Sequence, residues 1–245
     1  MTASVPDRPG HTGSPTTTDP SADDPPGPGW LEVVGGVAVF LLLAYVRLPL
    51  VGRLGLAPVL DGLVVAAWSG VAGMVGFLVA RLIRVRRSAA FHVRGASWRW
   101  IAMGVAGGLL AFVLARLLTA LYIVVIGTPD DVQAVYTDTG RAGPVPLVLS
   151  LVFLAVLTPL REELLFRGVV TTALLRYGRG GAVVGSAVIF AAVHGANLAA
   201  ATALIVGLIN AELLRRSRSI WPGVTAHAMN NVLAVGIGVL LGTGS

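Results

Sequence analysis

Three long runs of apolar residues, Leu31–Val51, Pro58–Ala80 and Ile101–Ile126, each reach the ~20 residues that a helix needs to cross the hydrocarbon core of a bilayer. A fourth apolar stretch runs from Pro144 to Leu175, interrupted by the charged segment Thr158–Gly168 (TPLREELLFRG), and the chain then turns at Arg176–Gly181 (RYGRGG). Two shorter apolar segments, Ala182–Val193 and Leu198–Leu214, are parted by His194-Gly-Ala-Asn197. A last helix is expected to open at Trp221 and Pro222 and run through His227 and Asn231 toward Leu241. The pattern predicts an all-α, polytopic membrane helical bundle of about seven to eight transmembrane helices. Pro159 should kink the fourth helix, since it cannot donate to the carbonyl four residues earlier. Short, glycine-interrupted spans such as those after Gly181 are places where membrane proteins build sites.

Residues 1–29 are rich in Pro, Thr, Ser, Gly and Asp with little to bury, and read as a disordered tail. The first apolar run lacks a basic flank at the terminus and a small-residue cleavage site, so it reads as a retained span rather than a signal peptide. The expected organisation is a tail over 1–29, N-terminal transmembrane helices over 30–143, and a membrane core over 144–245 that holds the candidate chemistry.

Composition agrees: 55% of residues are hydrophobic and 12% charged, and the mean hydropathy is +0.82, outside the range of soluble domains. With no cysteine, disulfides, thiolate metal sites and cysteine nucleophiles are excluded. All 18 basic residues are arginine, which removes lysine from any catalytic scheme. Although the pI is near 10.9, the arginines cluster beside apolar segments instead of forming a basic face interleaved with aromatics. They speak for membrane topology and against a nucleic-acid partner. Arg81, Arg84, Arg86, Arg87, Arg94 and Arg99 follow one another with no acid between them, which by the positive-inside rule places that loop and the N-terminus in the cytoplasm of a multi-pass cell-membrane protein. Arg215, Arg216 and Arg218 mark a second return to that side, whereas Gly127–Gly143 carries Asp130, Asp131 and Asp138, as an outer loop does.

An ionised side chain at the centre of a membrane helix costs about 2.5–3.5 kcal/mol even on insertion scales, so Glu162, Glu163 and Arg167 mark a site if they lie at membrane depth. The competing reading is a solvated helix end with flanking charges. Glu163 and Arg167 stand four apart with the acid first, the favoured order for an ion pair within a helix. Glu162 is turned about 100° away and left to face a ligand, a water or a substrate. Residue 178 is the midpoint of Glu162 and His194, so an antiparallel hairpin closed at the glycine-rich turn would bring both to one depth. His227 lies one turn before Asn231 on the last helix, but is only about 13 Å along a helix from Arg218, against about 20 Å for the hairpin residues. Either the hairpin protrudes or the arginine loop dips for these groups to meet. Glu162, His194 and His227 are a donor set that suits catalytic Zn2+ with one position left for water. Without metal, Glu162 and His194 would act as general base on a water, while His227 and Asn231 donate to the oxyanion. No HExxH is present. A lone buried histidine is more often structural than a ligand, and Asp61 and Arg116 read as helix-end or packing residues.

Glu162-Glu163-Leu-Leu-Phe-Arg167 resembles the EExxxR motif, Phe190-Ala-Ala-Val-His194 the FxxxH motif and His227-Ala-Met-Asn-Asn231 the HxxxN motif of the CPBP family of intramembrane proteases, which includes type II CAAX prenyl proteases and bacteriocin-processing proteins. Order, residue types and spacing match across approximately Pro144–Leu241. The resemblance implies an intramembrane endopeptidase acting near the cytoplasmic half of the bilayer on a peptide or membrane-protein substrate. It also implies that Glu162, His194, His227 and Asn231 are the catalytic or metal-facing set, with Glu163 and Arg167 in support. Asn197, just past the second motif, lies outside it. CAAX cleavage requires prenylated partners, and nothing in the sequence reads a prenyl group. Two other classes stay open: a proton or cation transporter, which would need internal repeats and polar groups across the whole bilayer, and a non-catalytic scaffold or immunity protein on the same fold. Topology is directly testable. Reporter fusions at Ser88 and Ser245 should report opposite sides of the membrane, and a common side would break the count of seven spans.

Overall fold

The computed structural model describes residues 27–128 and 134–241. Residues 1–26 of the expected tail, Asp130 and Asp131 of the expected outer loop, and Ser245 lie outside the described residues. The chain folds as helices α1 (Trp30–Gly52), α2 (Pro58–Ile83), α3 (Trp98–Val125), α4 (Ala134–Arg141), α5 (Pro144–Tyr177), α6 (Arg179–Ala192), α7 (Leu198–Ser217) and α8 (Trp221–Leu241). Six of them are long and apolar enough to cross a membrane, and α6 is a shorter apolar helix between two of these. Each apolar segment predicted from the sequence is therefore a helix, and α4 is an added short one.

α5 is the axis of the bundle, touching α1, α2, α6, α7 and α8. Its buried Leu165, Phe166, Val169 and Val170 form the middle of the core with Phe40, Phe77, Phe91 and Phe190. Phe166 packs edge-on against both Phe40 and Phe190, an arrangement in which aromatic quadrupoles attract. α3 can lie close along α8 because Gly104 and Gly108 face it: a Cβ at Gly104 would stand 2.5 Å from the carbonyl oxygen of Pro222, and one at Gly108 2.7 Å from the Cβ of Met229. Small residues four apart are a common means of close helix approach in membranes.

The disturbance expected at Pro159 takes the form of π-helical turns, at Val152–Leu157 and Glu163–Thr171, on either side of a short α-helical piece. In the first of these the Thr158 amide donates to the carbonyl of Phe153, five residues back. The next donor in that register is residue 159, a proline without an N–H, so the helix cannot satisfy the Leu154 carbonyl in this way. In the second, the Thr171 and Thr172 hydroxyls donate to the carbonyls of Phe166 (3.1 Å) and Arg167 (2.9 Å), again five residues back.

The chain enters the bundle at a tied corner. Glu32, fully buried, accepts from Arg84 Nε and Nη2 at 2.7 Å each, joining the start of α1 to the end of α2. Trp30 Nε1 donates to the Tyr177 hydroxyl at 2.8 Å, and Arg176 Nη2 donates to the Pro28 carbonyl. The α3–α8 contact is the simplest to test: Gly108→Leu should destabilise the protein in detergent by about 1–3 kcal/mol through overpacking, and an unchanged thermal melting curve would show that the two helices do not approach so closely.

Candidate functional site

Glu163 is the best-partnered group of the interior. It is fully buried; its Oε1 accepts from Asn210 Nδ2 of α7 at 2.9 Å and pairs with His227 Nδ1 of α8 at 3.2 Å. Its Oε2 lies 3.2 Å from Arg167 Nε, the ion pair expected one turn along α5. Room for this carboxylate is made by Gly223 of α8, where a Cβ would stand 2.7 Å from Oε2. Arg167, also fully buried, lays its guanidinium over the face of Phe190, with Cζ 4.4 Å from the ring centroid. Its N–H groups have no hydrogen-bond acceptor, so charge and ring face hold it.

Glu162 is not left free, as the helical geometry alone had implied. Arg161, its chain neighbour, turns back and places Nη2 2.6 Å from Glu162 Oε1, both side chains being buried. Arg161 fits because α2 offers Gly73, where a Cβ would stand 2.9 Å from the arginine Cδ, and the Phe40 ring lies 5.6 Å from its Cζ. The other oxygen, Glu162 Oε2, faces His227 Nε2 at 3.7 Å. That gap is longer than a hydrogen bond, and a water beside the pair would be within reach of both groups. His227 thus stands between the two acids, its Nδ1 toward Glu163 and its Nε2 toward Glu162. His227 and Glu162 thus meet despite their unequal distances from the helix ends, and the segment Glu163–Thr171 between Glu162 and the turn is π-helical.

The hairpin closes where expected: α5 ends at Tyr177, Gly178 adopts a φ of 109° that favours glycine, and α6 begins at Arg179. His194 lies just past the end of α6, partly buried, with Nδ1 2.8 Å from the Phe190 carbonyl. Its ring and that of His227 both meet Phe190 edge-on, at centroid distances of 4.8 and 6.0 Å. Arg167, His194 and His227 therefore meet at one aromatic ring, and His227 links it to Glu162 and Glu163.

Asn231 is engaged in two hydrogen bonds. Its Nδ2 donates at 2.8 Å to the Leu154 carbonyl, the acceptor that Pro159 cannot serve, and its Oδ1 accepts from Asn230 Nδ2 at 3.1 Å. Asn197 caps α7, its Oδ1 accepting from the Ala200 amide at 3.1 Å, and Arg116 lies over Phe112 of its own helix. Of the zinc set of Glu162, His194 and His227, Glu162 Oε2 and His227 Nε2 approach to 3.7 Å. Among the described residues no three acidic or imidazole side chains are grouped as a metal site, and the Arg161 cation already occupies one face of Glu162. Sequence reasoning missed Arg161 and Asn210, although a lone amide in the apolar run Leu198–Leu214 was a visible signal.

Residues 144–233 match the family model of Rce1-like type II CAAX prenyl endopeptidases. The chain carries an Rce1-like domain. The match begins where α5 begins and takes in the acidic pair, both histidines and Asn231, in accord with the CPBP-type motifs. No curated protein and no solved structure matches the chain. With six apolar helices of spanning length the chain is a multi-pass membrane protein, and its residues 144–233 are similar to a family of proteases, enzymes that act on peptides or proteins.

Removing either partner of the buried pair strands the other charge. Glu163→Ala and Arg167→Ala should each destabilise by about 3–5 kcal/mol. Glu162→Gln keeps an acceptor beside Arg161 and should melt within a few degrees of the wild type; an equal loss in all three variants would make Glu162 structural.

Proposed function

We propose that this protein is an intramembrane endopeptidase that hydrolyses a peptide bond near the cytoplasmic half of the bilayer, using a water activated by Glu162. The observation that carries the proposal is the facing of Glu162 Oε2 and His227 Nε2 at 3.7 Å inside the Rce1-like domain. Arg161 holds the carboxylate in place from its other side, leaving Oε2 to take a proton.

In this scheme Glu162, with His194, accepts a proton from the water as its oxygen attacks the scissile carbonyl carbon, and the carbonyl oxygen becomes the oxyanion of a tetrahedral intermediate. His227, oriented through Nδ1 by Glu163, presents Nε2 to that oxygen and, when protonated, donates to it. Asn231 contributes its second amide hydrogen, the first being engaged by Leu154. Collapse of the intermediate breaks the C–N bond, and Glu162 returns the proton to the leaving amine. Asn210 and Arg167 act through Glu163 and do not touch the substrate.

A general base supplies about 10²–10⁴-fold in rate, so Glu162→Gln should lower cleavage by that factor without loss of folded protein. Mass spectrometry of peptides from membranes holding wild-type or Glu162→Gln protein measures it. Cleavage products common to both would refute the assignment. A chelator should leave the wild-type products unchanged, whereas loss on chelation and recovery with Zn2+ would bring the metal set back.

A further inference from the structure

We propose that Thr158 supplies a further hydrogen-bond donor to the scissile carbonyl oxygen, beside Asn231; the proposal rests on the hydrolytic reading of Glu162 and deepens it. α5 presents two neighbouring rows of side chains here. Leu157 and Arg161, four apart, go to α2, where a Cβ at Gly70 would collide with the Leu157 side chain and one at Gly73 would stand 2.9 Å from Arg161 Cδ. Thr158 and Glu162, also four apart and within the α-helical piece Thr158–Glu162, form the next row. That row lies along α8. Glu162 Oε2 faces His227 Nε2 at 3.7 Å, and on the side away from Tyr177 the Asn231 Nδ2 reaches the Leu154 carbonyl at 2.8 Å. Thr158 stands between these two ties, and α8 packs against its segment. About one turn of helix separates it from Glu162, as one turn separates Asn231 from His227.

The Thr158 hydroxyl is left for a ligand because its usual acceptors are taken. A hydroxyl inside a helix normally turns back to a carbonyl one turn earlier. In this chain Thr119 donates to Ala115 and Thr225 to Trp221, four residues back, while Thr171 and Thr172 reach five back. For Thr158 the acceptor four back is Leu154, to which Asn231 already donates, and the acceptor five back, Phe153, takes the Thr158 amide. Among the described residues the Thr158 hydroxyl has no hydrogen-bond partner. Thr202 of α7 also lacks one, but its neighbours one turn away, Leu198 and Val206, are apolar. Thr158 is partly exposed, whereas Glu162 beside it is buried. A carbonyl placed for attack by a water at Glu162 and His227 therefore meets two neutral donors one turn on, the second amide hydrogen of Asn231 and the hydroxyl of Thr158. Donors fixed in place before charge develops are what stabilises an oxyanion. Asn231 thereby gains a second role: by occupying the Leu154 carbonyl it keeps the Thr158 hydroxyl from turning back.

Mass spectrometry of membranes holding the wild-type or the Glu162→Gln chain identifies a cleavage product, and a synthetic peptide spanning that site is then assayed with the full chain in detergent. Thr158→Val, which removes the hydroxyl and keeps the shape, should lower kcat about 10²-fold with KM unchanged. Its melting temperature should not fall, because the lost hydroxyl bonds to nothing in the protein. Thr158→Ser, which keeps the donor, should retain the rate. In an Asn231→Ala background Thr158→Val should cause no further loss, since the vacated Leu154 carbonyl takes up the hydroxyl. Thr119→Val, on a hydroxyl bonded within α3, should leave cleavage unchanged. Thr158→Val at the wild-type rate, a rise in KM alone, a lower melting temperature, or a full additive loss on top of Asn231→Ala would each overturn the proposal. With Glu162→Gln inactive, those results leave the hydrolytic reading standing; products shared by the wild type and Glu162→Gln would instead overturn both.

Discussion

Burial of ionised groups in an apolar bundle is the constraint from which the arrangement follows. A carboxylate at full burial is tolerable only with compensating charge and hydrogen-bond donors, and Glu163 recruits them from three helices: Arg167 on α5, Asn210 on α7 and His227 on α8. Those contacts fix how α7 and α8 are rotated about α5. They also set which nitrogen of His227 is turned to Glu162, because the other is turned to Glu163. Arg161 performs the corresponding service for Glu162 from a single residue away.

Compensation in this interior is uneven, and the unevenness is informative. Glu163 draws on hydrogen bonds and an ion pair together, whereas Arg167 relies on charge and the Phe190 ring. Phe190 is consequently more than filler. Its ring receives Arg167 on its face and both imidazoles at its edge, so one side chain spaces a cation and two titratable groups. An aliphatic residue of similar bulk would fill the volume without offering the π face.

Much of this was legible in the sequence. Apolar run lengths gave the helices, the midpoint rule gave the α5–α6 hairpin at Gly178, and a spacing of four gave Glu163–Arg167. The midpoint rule would have given more, since Glu32 and Arg84 have residue 58 between them, at the turn joining α1 to α2. What escaped depended on backbone register. A helical wheel assumes α-helical geometry and places Glu162 away from any partner, but α5 changes to π geometry on both sides of Thr158–Glu162. Arg161 escaped because side chains next to each other in a helix normally diverge, and only Gly73 on α2 makes space for it to fold back. Asn231 escaped because its partner is a backbone carbonyl released by a proline 72 positions earlier.

The two threonines that close the second π segment carry a consequence of their own. A π turn is in effect one surplus residue in a helix, and such a surplus can in principle migrate by passing hydrogen bonds from one carbonyl to the next. With the Thr171 and Thr172 hydroxyls pinned to the carbonyls of Phe166 and Arg167, the surplus has no free carbonyl to move into on that side. Pro159 blocks it on the other, having no hydrogen to pass along. The acidic pair therefore sits between two stops, in a segment whose angular phase relative to the rest of α5 is trapped, and the direction in which Glu162 points is set by residues that never approach it.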